Sequence, residues 1–407
     1  MPDSDVLEES KVLMEQTSAV ELLIGVTGDV NPVDAHRRAV EALDRATIWP
    51  RSGGRVIVTW PGADGAEEGP TGDDRVSLIP YRVGSSTDTG RWAQISAAQR
   101  GILALAAELK AGACVLVSAD MATLQAEAMR ALAAPVLDHR CDVVMPIYPL
   151  GRYEGLVNTA IVMPLTRALY CKRVQMPLPL DFAVSAGYAE MVSAGKSRGL
   201  LWPSIAAGQE TMQVGQAHLP VRHHTPMEGV DATGVLTQIV GSLFLEMEHS
   251  AASWQRGRSG QPTPIWGEAA VADESPEVID AQPMVESFQL AARNLDELWQ
   301  LVLPPVTLLE LKHLAKCPAE QFRMQDRLWA RIIYDFGLAH RLRTISRAHL
   351  LGALTPLYLG WVASYVRESS AMNAEEVARR QEQLARAFEE NKPYLVSRWR
   401  WPDRFNP

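Results

Sequence analysis

Ala113-Cys114-Val115-Leu116-Val117-Ser118-Ala119-Asp120 reads as a short apolar strand that stops on a carboxylate. A continuous apolar run, bounded by Gly112 on one side and Ser118 on the other, suits a central strand covered by helices on both faces. An acid at the carboxyl end of such a strand stands where open α/β sheets bind their ligands. Asp120 is therefore the first candidate for a functional residue. Its other reading is the N-cap of a helix beginning at Met121.

Working outward, strands and helices alternate on both sides of this run. Val20 to Val26 reads as a first strand, followed by a Gly28-Asp29 turn and an amphipathic helix from about Val33 to Thr47. Arg55 to Trp60 gives a second strand. Val76 to Tyr81 gives a third, placed at an edge because Pro80 has no N–H for a central ladder. The polar loop Gly84 to Arg91 opens a helix over 92–109, and such a loop can cradle phosphate with free backbone N–H groups. Beyond Asp120 come a helix over 124–137 and a buried strand over 141–148. This alternation predicts a mostly parallel α/β sheet.

The chain then changes character. Gly151-Arg152-Tyr153-Glu154 is a polar loop, Leu156 to Tyr170 a helix, and Met176 to Asp181 an extended piece stiffened by prolines and ending on a carboxylate. A strand over 212–218 runs into Val221-Arg222-His223-His224, and a helix follows over 234–248. Residues 250–283 show almost no periodicity. From Val285 onward the spacing is helical almost throughout. The predicted organisation is an α/β domain over 1–255, a linker over 256–283 and an all-α domain over 284–407.

Composition narrows the class. The 407 residues exceed one compact core, and 47% hydrophobic with 21% charged residues is ordinary for a globular protein. A net charge of −9 argues against a broad nucleic-acid surface. The run from His349 to Tyr365 contains a His, a Pro and two Gly and falls short of the roughly 20 apolar residues a membrane span needs. No secretion-type n-region and h-region opens the sequence, and the four cysteines form no Cys-x-x-Cys pair, so a reduced, cytoplasmic setting is expected. The tail Arg398-Trp399-Arg400-Trp401-Pro402 is expected to pack back on its own protein through cation–π contacts. The helical half offers apolar faces suited to a homodimer.

Asp120, Asp181 and the His223-His224 pair are the chemistry-bearing candidates. A carboxylate and an imidazole at one end of a sheet can hold Mg²⁺ or Mn²⁺, with a nucleotide diphosphate completing the coordination. The competing reading of the histidines is a hydrogen-bonded pair at a strand end. In order, the strand ending Ser118-Ala119-Asp120-Met121, the Gly-Arg loop, Pro-Leu-x-x-Asp181 and Val221-Arg222-His223-His224 before an apolar helix resemble the GT-A glycosyltransferases that make mannosylglycerate and glucosyl-3-phosphoglycerate. The resemblance spans roughly residues 18 to 255.

It implies a GT-A (Rossmann-like) domain and a metal-dependent hexosyl transfer with retention. The donor would be a UDP- or GDP-sugar and the acceptor a small anion such as glycerate or phosphoglycerate. It further implies metal ligation by Asp120 and His224, nucleotide contacts from Thr27, Asp29, Arg91, Ser118 and Asp120, acceptor contacts from Arg152, Tyr153, Glu154 and Asn158, and catalytic roles for Asp181 and Arg222. Two departures stand out: Ser118 replaces the first acid of the Asp-x-Asp element, and Trp202-Pro203-Ser204-Ile205 lacks a carboxylate found in the mannosylglycerate enzymes. Two other readings remain, a nucleotidyltransferase and a non-catalytic sugar-nucleotide-binding scaffold. A dinucleotide oxidoreductase is disfavoured because no Gly-x-Gly-x-x-Gly follows the first strand.

Overall fold

The computed structural model describes residues 19–46, 54–62, 76–83, 90–195, 199–209, 212–220, 232–257, 262–270 and 279–402. The chain divides into two compact units, and the division is not a single cut. The first comprises 1–149, 174–223 and 263–271, the second 150–173, 224–262 and 272–407. The sequence places one boundary near residue 255. The structure instead gives the 150–173 segment to the helical unit and returns part of the expected linker to the sheet.

The first unit is built on an eight-stranded mixed sheet ordered β3-β2-β1-β4-β6-β5-β7-β8. Its strands are β1 (Val20–Val26), β2 (Arg55–Pro61), β3 (Val76–Tyr81), β4 (Ala113–Val117), β5 (Val143–Ile147), β6 (Phe182–Ser185), β7 (Val214–His218) and β8 (Ile265–Trp266). All pairings are parallel except those of β6, which runs antiparallel between β4 and β5. Among the described residues β3 pairs only with β2, and at such an edge a proline is tolerated. β4 is central, and all five of its residues are buried, as its unbroken apolar run requires.

Among the described residues five helices flank the sheet: α1 (Pro32–Ala46), α2 (Arg91–Glu108), α3 (Ala126–Leu137), α5 (Ala186–Ala194) and α6 (Pro203–Gln209), with α4 (Met163–Tyr170) in the other unit. α2 packs closely enough on β1 that a Cβ on Gly25 would stand 2.3 Å from Ile102 Cγ2. The core beneath α2 and α5 gathers Leu23, Ile102, Leu103, Leu116, Met145, Phe182, Val184 and Tyr188. Ser185 ends β6 and starts α5 by accepting a hydrogen bond from Tyr188 N.

In the second unit every element from Gln282 to Arg400 is a helix: α9 (Gln282–Asn294), α10 (Asp296–Gln300), α11 (Pro305–Leu314), a 3₁₀ turn (Ala319–Gln321), α12 (Asp326–Leu342), α13 (Arg347–Ser369) and α14 (Ala374–Arg400). A π-turn (Asn158–Val162), α4, α7 (Ala232–His249) and α8 (Ala251–Trp254) join them. Asn373 and Glu376 open α14 with reciprocal side-chain-to-backbone bonds, the capping box their spacing encodes. Trp254, Trp299, Trp329 and Trp361 are fully buried. Trp329 stacks on Trp361 and donates from Nε1 to Ala160 O at 2.8 Å. Among the described residues no helix is long and apolar enough to cross a membrane.

The C-terminal tail does pack on its own unit. Trp399 meets Trp254 edge-on at 5.2 Å, and the guanidinium of Arg341 lies 4.6 Å from the Trp399 ring centre. Arg398 pairs with buried Asp335 at 2.9 Å, while Trp401 stays 56% exposed.

Candidate functional site

The strand order fixes where a ligand can enter. From β1 the chain winds outward through β2 and β3, then returns to β4 on the other side of β1. The loops leaving β1 and β4 therefore diverge at the sheet's carboxyl edge, the place where α/β folds form a crevice. The strands stay joined up to that point: Thr27 donates from N at 2.8 Å and from Oγ1 at 3.2 Å to Val117 O. Gly28 then lies so near the β4 loop that an added Cβ would stand 2.4 Å from Ala119 Cβ. Asp29 and Asp120, both exposed, follow directly on these two touching residues. The fold thus gathers Thr27, Asp29, Ser118 and Asp120 at one place.

Asp120 is not the cap of the next helix. α3 begins only at Ala126, after Gln125, and two turns intervene. Asp120 Oδ1 accepts from Ser118 Oγ at 2.8 Å and from Ala122 N at 2.9 Å. The side chain so closes its own loop into an Asx-type turn. Met121 pays for that turn with φ of +53°, a left-handed conformation unfavourable to a side chain. Ser118, standing where an acid was expected from the resemblance, fixes the orientation of Asp120.

Asp181 departs from the expected role. Because β6 runs antiparallel, its amino end meets the carboxyl ends of β4 and β5, and the residue preceding it is drawn beneath the crevice. Asp181 is fully buried. Its Oδ1 accepts from Ser118 N at 2.7 Å and Thr123 Oγ1 at 2.8 Å, and its Oδ2 accepts from Tyr148 Oη at 2.7 Å. Asp181 N in turn donates to Tyr148 Oη at 3.2 Å. A carboxylate with no accessible surface and three protein donors cannot be presented to a sugar. It braces the loop that presents Asp120. Burial, followed by the charge of Asp181, holds the Tyr148 phenol well above its ordinary range, so this hydroxyl stays a proton donor.

Arg91 opens α2 at the end of the helix reached from β3, and its exposed side chain makes no hydrogen bond or ion pair among the described residues. Arg152, Tyr153, Glu154 and Asn158 belong to the helical unit. Arg152 Nη1 donates to Ser369 O at 2.7 Å and Ser370 O at 3.0 Å, a cation at the carboxyl end of α13. Tyr153 Oη donates to Val366 O at 3.4 Å, and Glu154 accepts from Gly151 N at 2.7 Å. Asn158 starts the π-turn. Arg222, His223 and His224 lie outside the described residues. Among the described residues no group of three or more His, Cys, Asp or Glu side chains is arranged to hold a metal ion.

Sequence reasoning missed Thr123 and Tyr148. Each is one hydroxyl in an apolar or turn context, and only the reversed direction of β6 brings them to one carboxylate.

No known family profile matches the sequence, and no curated protein matches it. Among solved structures, the chain is similar to glucosyl-3-phosphoglycerate synthase from Mycobacterium tuberculosis in complex with phosphoglyceric acid. The identity is 17%, the alignment covers 58% of this chain and 82% of that one, and the TM-score is 0.32, a likeness too low to carry an argument.

Proposed function

We propose that this protein is a GT-A-type glycosyltransferase that binds a nucleoside-diphosphate sugar at the carboxyl ends of β1 and β4. The observation that supports the reading is the exposed, oriented carboxylate of Asp120 at the switch point, with Thr27, Asp29 and Ser118 around it. Mg²⁺ or Mn²⁺ fits this setting, because such ions need only one or two protein carboxylates when phosphates and water supply the rest. Asp120 would hold it, with His224 as the second protein ligand. When bound, the ion offsets the charge that develops on the departing diphosphate.

In the proposed reaction the bond between the anomeric carbon and the diphosphate oxygen breaks. The acceptor hydroxyl forms the new bond on the same face, and its proton leaves with the diphosphate. Thr27 and Ser118 line the donor end, and Arg91 and Arg222 pair with phosphate oxygens. Asp181 acts through Ser118, as a positioning residue. The protein's contribution is chiefly orientation and electrostatic stabilisation. Glycerate and 3-phosphoglycerate are the acceptors to try first, from the sequence motif around Arg152.

The burial of Asp181 favours a second reading, a sugar-nucleotide-binding regulator without turnover. Thermal-shift measurements with UDP- and GDP-sugars, with and without Mn²⁺ or Mg²⁺, test binding; release of nucleoside diphosphate on adding acceptor tests transfer. A metal-dependent shift with release supports the transferase. A shift without release supports the regulator, and no shift with any donor removes both.

A further inference from the structure

The helical unit contains a cavity of about 490 Å³ near the carboxyl end of α14, bordered by Gln255, Gly257, Lys392, Val396, Arg400 and Trp401. Two of these residues are cations, and neither forms an ion pair within 4 Å among the described residues, although Glu389 acts on Lys392 at longer range. Lys392 Nζ donates to the carbonyls of Gly257 at 2.9 Å and Leu169 at 3.4 Å. Arg400 Nε donates to the amide oxygen of Gln255 at 2.9 Å. Among the described residues that border it the one acid, Glu389, already gives both oxygens to Arg167, at 3.1 and 3.0 Å. Burial depresses the Lys392 pKa, and the nearby Cys171 and Glu389 offset this only in part.

A hollow bordered by two cations without a close ion-pair partner is unexpected in a chain of net charge −9. The rest of its wall mixes apolar Pro393, Val396 and Trp401 with polar Gln255 and Ser397. The indole of Trp401 is 56% exposed, and Val396 adds an aliphatic surface. The volume falls within the roughly 300–1,000 Å³ typical of small-molecule sites, and apolar surface beside a few convergent polar groups is their usual make-up.

We propose that this cavity binds a small organic anion, a phosphate or carboxylate carried on a planar ring, with the anionic head between Lys392 and Arg400 and the ring against Trp401. An ammonium serves as a point charge for such a head, and a guanidinium pairs with two of its oxygens. The site is separate from the strand ends and does not depend on the function proposed there.

Calorimetric titration of the full chain with phenyl phosphate, benzoate and inorganic phosphate tests it. Saturable binding of phenyl phosphate or benzoate, tighter than that of inorganic phosphate, is expected, and the tighter of the two identifies the head group. Arg400→Gln, an exposed substitution, should weaken binding by about tenfold or more. Trp401→Ala should abolish the advantage of the ring-bearing anion over inorganic phosphate. Absence of saturable binding to the wild-type chain, or affinity unchanged in both variants, would overturn the proposal.

Discussion

Replacing Asp181 separates a bracing role from a catalytic one. In Asp181→Ala three buried donors, Ser118 N–H, Thr123 O–H and Tyr148 O–H, lose their acceptor together. Each orphaned buried donor costs about 1–3 kcal/mol, and since hydroxyls can turn toward other acceptors the sum should be about 3–6 kcal/mol. That is a large part of the roughly 5–15 kcal/mol that holds a domain together. Asp181→Asn should cost only about 1–2 kcal/mol. Its remaining carbonyl can still serve Ser118 and Thr123, while its amide can donate to the Tyr148 oxygen. Urea unfolding followed by circular dichroism, with hydrogen exchange at the Ser118 amide, measures both variants. An Asp181→Ala protein within about 0.5 kcal/mol of wild type, the range of an ordinary surface change, would refute the reasoning.

Other substitutions probe other parts of the structure. Gly28→Ala should destabilise by about 1–3 kcal/mol through overpacking against Ala119, and Ala119→Gly in the same chain should restore most of the loss, read by the same unfolding assay. His340 is buried, and burial together with Arg347 and Arg343 pushes its pKa down to about 4. The unfolded chain therefore takes up a proton that the folded chain refuses. Stability from this group is present above its unfolded pKa of about 6.5 and is lost as pH falls toward 4, about 2.5 kcal/mol between pH 7 and 4.5. His340→Phe should remove that part of the pH dependence in urea titrations at the two pH values. Trp399→Ala removes the contacts with Trp254 and Arg341 and should cost about 3–5 kcal/mol in thermal unfolding.

The half of the sheet that carries the candidate site was legible in the sequence because its strands are continuous apolar runs between clear breakers. β1, β2 and β3 fall within a residue of the expected ranges, β4 starts at Ala113 but ends at Val117 rather than running to Asp120, and Pro80 correctly marked an edge. β6 was not legible. Phe182–Ser185 is only four residues long and directly follows a proline-stiffened stretch, so no period can be read from it. Its antiparallel direction, a tertiary property, buried Asp181. The same reason hid β8, whose two residues lie in a segment without periodicity and become a strand only by pairing with β7. The exposed place of Asp120 just beyond β4 could be read from its position alone. The later start of α3 could not, since the turn that delays it depends on the Ser118 and Ala122 bonds and on the left-handed Met121.

The helical half shows a different balance. Amphipathic spacing located every long helix from Gln282 onward, while the partnership of residues 150–173 with those helices rests on long-range pairs that spacing does not encode. Arg152 reaching Ser369 and Arg167 forking onto Glu382 and Glu389 are examples.

Whether Asp120 holds a metal–nucleotide complex is read by calorimetric titration of UDP and GDP, with Mg²⁺ or Mn²⁺, into the wild-type chain and into Asp120→Asn. Metal-dependent binding of at least one nucleotide by the wild type is expected, with a loss of about tenfold or more in the variant, whose fold should persist because the amide oxygen can still accept from Ser118 and Ala122. Equal affinity in the two proteins, or tight binding independent of metal, would contradict it.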